Sequence, residues 1–162
     1  LFLNINHIDY YAGVDYFSVV FILLVFAITM LSDTFAYLVG RTLKGPKLAP
    51  SISPNKTISG SIGGLLGGIA GSMLVYALVY NINSWQTILS MYNLTWWHFL
   101  IIGLIGSCVS QIGDLVESKI KRSANIKGSG NILPGHGGML DRIDAMIFCV
   151  CFLYITAFII II

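Results

Sequence analysis

Four stretches of this chain, residues 17–40, 60–80, 96–117 and 145–162, are apolar over the roughly 20 residues that a helix needs to cross a bilayer. None alternates polar and apolar positions as a barrel strand does, and in hydrocarbon that leaves helices, which satisfy their own backbone groups. The expected fold class is all-α: a polytopic membrane helix bundle with about four transmembrane helices. Composition agrees, since only 10% of the residues are charged, against about a quarter in soluble domains. Disorder requires low hydrophobicity and high net charge, and the net charge here is +2. The same small charge excludes a basic nucleic-acid-binding surface, so no nucleic-acid partner is expected. Cys108, Cys149 and Cys151 form no CxxC pair and lie in apolar runs, so they read as buried free thiols. The chain starts at Leu1 with no basic region ahead of an apolar stretch, and it reads as the latter part of something longer.

The few charges are unevenly placed. Asp9 and Asp15 stand alone, and the other fourteen charged residues fall between positions 33 and 56 or between 114 and 144. Arg41, Lys44, Lys47 and Lys56 follow the first span, and Lys119, Lys121, Arg122, Lys127 and Arg142 lie between the third and fourth. Residues 81–95 contain no Lys or Arg. The positive-inside rule therefore puts two charged loops in the cytoplasm and residues 81–95 outside. Residues 1–16 become a non-cytoplasmic segment, and residues 17–162 a membrane-embedded domain. Tyr92, Trp96 and Trp97 fall where an interfacial aromatic belt belongs.

The second span carries Gly60, Gly64 and Gly68 at four-residue spacing, with Gly63, Gly67 and Gly71 on an overlapping register. The third continues the theme with Gly103, Gly106, Ser107, Ser110 and Gly113. Small residues at that spacing let helices approach closely, so these two spans are expected to be neighbours in a compact bundle.

Several polar residues need a reason. Asp33 lies inside an apolar helix near its cytoplasmic end, where an ionisable group is costly unless paired or hydrated. At the end of the third span Asp114, Glu117 and Lys121 share one helical face, and Ser118 and Arg122 form the adjacent stripe. Residues 123–138 then contain five glycines interleaved with Lys127 and His136. Glycines let backbone amides converge on an anion, and a following helix start adds free N–H groups, so this segment reads as a phosphate cradle. Asp141 and Asp144, one turn apart, open the last span, and a tight loop would bring Asp141 near Asp114. Carboxylates beside cations and a glycine-rich loop suit a hard divalent ion holding phosphate oxygens. Magnesium fits better than zinc, because His7, His98 and His136 are scattered and no HExxH or Cys/His cluster exists. His7 and His98 read as non-catalytic. The first charged loop, rich in Pro and Gly, adds a second basic element, and without a GxxxxGK[ST] motif it is no P-loop.

Together these residues resemble the phosphatidate cytidylyltransferase (CDP-diacylglycerol synthase) family. Its signature, Ser-x-x-Lys-Arg, then Lys-Asp, then Pro-Gly-His-Gly-Gly and Asp-Arg-x-Asp, is met by Ser118, Lys121, Arg122, Lys127, Pro134, Gly135, His136, Gly137, Gly138, Asp141, Arg142 and Asp144. Gln111, Gly113, Asp114, Glu117, the Asp33-Thr34-Phe35-Ala36-Tyr37 stretch, Gly40-Arg41 and Ser53-Pro54-Asn55-Lys56-Thr57 resemble the family as well. Two positions depart from it: Gly128 replaces the Asp of Lys-Asp, and Ser59 stands where many members have Glu. The first removes a carboxylate beside Lys127; the second keeps polar character.

The resemblance implies a reaction in which CTP and phosphatidate give CDP-diacylglycerol and pyrophosphate. It implies catalytic roles for Lys121, Arg122, Lys127, His136, Arg142 and Asp144, and substrate binding by Arg41, Lys56, Ser118, Gly137 and Gly138. Asp114 and Asp141, with Asp144 as third partner, would hold Mg²⁺, with room for a second cation. The expected setting is a bacterial-type inner membrane with the site facing the cytoplasm, and the expected assembly is a homodimer. The alternatives are a transporter, an inactive scaffold homologue, or a related lipid or polyprenol nucleotidyltransferase or kinase. In a cysteine-free background, an Asn93→Cys variant should react with a membrane-impermeant maleimide in intact cells, and a Lys44→Cys variant only after lysis. The reverse pattern would invert the topology.

Overall fold

The computed structural model describes residues 7–50, 52–123 and 140–161, with side chains described for these except at 7–16, 84, 87, 88, 140–145 and 160–161. The elements in order are α1 (His7–Leu43), β1 (Lys47–Ala49), β2 (Ser53–Thr57), α2 (Ile58–Asn81), α3 (Asn83–Met91), α4 (Trp96–Ser123) and α5 (Leu140–Ile161). The all-α membrane bundle is as expected, with one small addition: β1 and β2 form an antiparallel hairpin within the first charged loop. Among the described residues three helices are long and apolar enough to cross a membrane, within Phe17–Leu43, Ile58–Asn81 and Trp96–Ser123. In α5 the described apolar part is the shorter Met146–Ile159. Residues 81–95, expected as a plain loop, contain α3, whose Trp85 and Leu89 pack against the core.

The glycine registers decide how the helices meet. Along α2 the buried residues begin Gly60, Gly63, Gly64, Gly67, Gly68 and Gly71, so this face is almost bare backbone. Gly63, Gly67 and Gly71 meet α1: a Cβ on Gly67 would lie 2.5 Å from the Leu31 carbonyl oxygen, and one on Gly71 2.5 Å from that of Ala27. Gly64 and Gly68 meet α4, at Gln111 and at Ser107 respectively, while Gly64 also touches Ser32 and Ala36 of α1. The two overlapping registers thus serve two neighbours, and both contacts are antiparallel. On α4, Gly103 faces Ser72 of α2, Gly106 lies against Ile28 of α1, and Gly113 takes Phe148 of α5.

Away from the charged residues larger side chains take over the packing: Val20, Leu24, Val25, Ile28, Val75, Val79, Phe99, Ile102, Cys149 and Leu153 form the buried core. Tyr76 packs on Phe99 and Phe17 on Tyr92, each at 5.2 Å between ring centroids. Tyr92 therefore turns inward, while Trp96 and Trp97 remain exposed at the start of α4. Of the three cysteines only Cys149 is buried; Cys108 and Cys151 lie on the outer faces of α4 and α5. That corrects the reading of all three as buried. Apolar runs in a membrane helix face lipid as well as the core, so an apolar neighbourhood in sequence does not imply burial.

Gly67→Val should lower the melting temperature in detergent, with overpacking costing about 1–3 kcal/mol. Gly106→Ala, whose Cβ would sit 3.4 Å from Ile28 Cδ1, should leave it unchanged or slightly raised.

Candidate active site

Gly40 and Gly60 pack together where α1 ends and α2 begins. Just beyond, Lys44 adopts a left-handed φ of 43° and turns the chain out of α1. The hairpin then brings it back: Lys47 pairs with Thr57 and Ala49 with Ser53. Thr57 caps α2 by accepting a hydrogen bond from the Gly60 N–H at 3.1 Å, satisfying one of the free donors of a helix start. Ser59 accepts from the Gly45 N–H at 3.3 Å and donates to Thr57 Oγ1 at 3.3 Å. The serine that departs from the family pattern thus ties the exit of α1 to the entry of α2.

Between these elements and α4 lies a cavity of about 780 Å³. It is lined by half-buried Lys56 of β2, Ser61 of α2, and Gln111 and Asp114 of α4, and by the more exposed Asp33 and Arg41 of α1 and Lys44 and Lys47 of the loop. Lys56 and Asp114 form an ion pair with both side chains about two-thirds buried. Asp33 lines the same cavity as this pair. Arg41 donates to the Tyr37 hydroxyl at 2.9 Å and sits over the same ring, which holds the guanidinium along α1. Ser61 donates to Gln111 Oε1 at 2.5 Å, and Gln111 Nε2 donates back to the Ser61 carbonyl at 3.3 Å. This amide joins α2 to α4 on the apolar side of the charged cluster.

Of the residues singled out from the sequence, Asp33, Arg41, Lys56 and Asp114 line this one cavity. Ser118, Lys121 and Arg122 lie further along α4, outside its lining. Lys121 pairs with buried Glu117 at 2.5 Å, and Arg122 Nε donates to the Ile52 carbonyl in the hairpin turn at 3.4 Å. The expected stacking of Asp114, Glu117 and Lys121 on one face therefore gives one pair inside α4, while Asp114 turns to Lys56 of another element. Lys127, Gly128, His136, Gly137 and Gly138 lie outside the described residues, as do the side chains of Asp141, Arg142 and Asp144. The proposed phosphate cradle lies there too. His98 sits at the opposite end of α4, where its Nδ1 accepts from the Thr95 N–H at 3.0 Å.

Lys44, Lys47 and Ser61 also line the cavity without having been assigned a site role. The first two belong to the basic loop, but which loop cations turn inward depends on the hairpin register. Among the described residues no group of three or more His, Cys, Asp or Glu side chains is placed to hold a metal. The described donors are the two carboxylates Asp33 and Asp114 and the Gln111 amide oxygen. This hard-oxygen set suits a cation that keeps water and phosphate in most of its positions, as Mg²⁺ does.

A helix bundle with apolar spans, and with carboxylates and cations gathered in a cavity at one end of them, defines an integral membrane protein. Residues 6–160 match the cytidylyltransferase family, and the chain belongs to it. It is 43% identical over 143 residues to a phosphatidate cytidylyltransferase of Brucella abortus biovar 1, covering 88% of this chain and 48% of that protein. It is 44% identical over 128 residues to one from Staphylococcus saprophyticus (79% and 45%), and 56% identical over 57 residues to one from Bacillus subtilis (35% and 21%). The chain spans about half the length, or less, of these relatives.

Replacing Gln111 with Leu should lower the melting temperature, because Ser61 loses its partner in a partly buried place, a loss of about 1–3 kcal/mol. An unchanged melting curve would remove the amide from the link between α2 and α4.

Proposed function

We propose that this chain carries the catalytic part of a phosphatidate cytidylyltransferase, which makes CDP-diacylglycerol and pyrophosphate from CTP and phosphatidate. One observation carries the reading: in a chain similar to enzymes of that name, Asp33, Lys56 and Asp114 share a cavity at the membrane-surface end of the spans, edged by Arg41, Lys44 and Lys47. One substrate never leaves the bilayer and the other is soluble, so the reaction belongs at such a boundary.

The chemistry needs no nucleophile from the protein. A phosphatidate phosphate oxygen, ionised near neutral pH because a phosphomonoester's second pKa is about 6, attacks the α-phosphorus of CTP. A new P–O–P bond forms, the bond to the β-phosphate oxygen breaks, and pyrophosphate leaves. The barrier lies in bringing two anions together and in the charge that builds on the leaving group, so positioning and electrostatics dominate. Arg41, Lys44 and Lys47 offset phosphate charge at the rim, with Arg41 aimed by Tyr37. Lys121, Arg122, Lys127, His136 and Arg142 are proposed for further phosphate contact, Ser118, Gly137 and Gly138 for binding.

Mg²⁺ is proposed as the cofactor, with Asp114 as a ligand and Asp141 and Asp144 as further ligands; Asp33 stands beside Asp114 as a second carboxylate. When bound, the ion would neutralise phosphate charge. The cavity is proposed to face the cytoplasm from a bacterial inner membrane, because the basic loops lie at its end. A homodimer belongs to the same proposal, and its test is the mass in detergent, since lipid and a second copy would both cover the apolar outer faces. A transport pathway would carry charge through the span, whereas every described charged side chain lies toward the cavity end.

The test is a CTP-dependent assay with phosphatidate vesicles and Mg²⁺. Wild type should form CDP-diacylglycerol, and Asp114→Asn should lower turnover by at least about a hundredfold, the scale of a lost electrostatic element. Folded protein with no CDP-diacylglycerol, in wild type and in Gly128→Asp alike, would overturn the reading.

A further inference from the structure

The Lys56–Asp114 ion pair occupies the place where the proposed function needs a cation. Asp33 and Asp114 come from different helices, and bringing two carboxylates together in a partly desolvated cavity is unfavourable without a counter-charge. Lys56 supplies that charge. It is held differently from the carboxylates: Asp33 and Asp114 stand on long helices packed backbone to backbone, while Lys56 rides on a five-residue strand of a two-stranded hairpin. A lysine ammonium is a strongly hydrated point charge on a flexible stem, suited to changing partners.

We infer that Lys56 is a resident counter-ion of the Asp33 and Asp114 carboxylates, which a divalent cation displaces toward the phosphate-binding side of the cavity. This deepens the reading of Asp114 as a cation ligand and rests on it. Asp33, Asp114 and Lys56 together carry one negative charge, which attracts a cation, while Arg41, Lys44 and Lys47 around the cavity stay positive in either state. Once a divalent cation sits on the carboxylates the same groups sum to a single positive charge, and the released ammonium is available to a phosphate oxygen. Cation binding then promotes phosphate binding, because it adds two positive charges and frees the ammonium whatever the other groups around the cavity contribute. In the absence of the cation the pair holds β2 against α4, so the hairpin does not swing away from an empty site.

Competition distinguishes this role from a structural one. A residue that merely supports the site weakens cation binding when removed, whereas a resident competitor strengthens it, because its loss leaves both carboxylates uncompensated. The experiment measures binding of Mn²⁺ alone to the purified membrane protein in detergent by electron paramagnetic resonance. Lys56→Met should bind Mn²⁺ about tenfold more tightly than wild type, with the gain shrinking as ionic strength rises. Lys56→Arg should stay near wild type, and Asp114→Asn should lose the site. Should Lys56→Met fail to fold, Lys56→Gln carries the same expectation. Unchanged or weaker binding in the folded Lys56 variants, with binding still lost in Asp114→Asn, overturns the counter-ion role and leaves Asp114 as a ligand. Mn²⁺ binding that survives in Asp114→Asn overturns the ligand reading and the exchange with it.

Discussion

The close approach of α2 to both α1 and α4 is the contact on which the rest of this molecule depends. Six glycines on two registers let α2 lie almost backbone to backbone against two neighbours at once. Within a membrane no hydrophobic drive pulls helices together, because lipid tails are as apolar as leucine, so packing contact and hydrogen bonds must do so. Bare glycine faces maximise that contact. They also bring α1 and α4 close enough for Asp33 and Asp114, far apart in sequence, to share one cavity.

The bundle is therefore asymmetric along its length. Toward the cavity glycine makes the contacts between helices; toward the other end Val75, Val79, Phe99 and Leu153 make them, with Trp85 and Leu89 of α3 packed against this core. The hairpin completes the cavity end: Thr57 caps the start of α2, Ser59 ties that start to Gly45 at the exit of α1, and Lys56 of β2 reaches Asp114. The cavity thus combines carboxylates on rigid helices with a cation on a small, lightly held element.

Much of this was legible in the chain. The spans stand out because hydrocarbon demands length and apolarity, and both are local properties. The glycine registers announced close packing, and Asp33 and Asp114 drew attention because an intramembrane carboxylate needs a reason. What was not legible has a common cause. The hairpin is short and built around prolines, so no periodicity marks it, and α3 is short beside the spans that flank it. Asp114 has Glu117 and Lys121 on its own face, which suggested a local network, yet Lys121 pairs with Glu117 and Asp114 with Lys56.

The sequence by itself determined that this is a membrane helix bundle with its charges gathered between particular spans, because solvent and spacing act through neighbours along the chain. It also carried the residue pattern of its family. The tertiary structure alone decided which glycine register meets which helix, that Cys108 and Cys151 face outward, that Lys44 and Lys47 stand at the rim of the cavity, and that Lys56 is the partner of Asp114. Those outcomes depend on distances between residues remote in sequence, set by how deeply three helices sink into one another, and no local pattern encodes that depth.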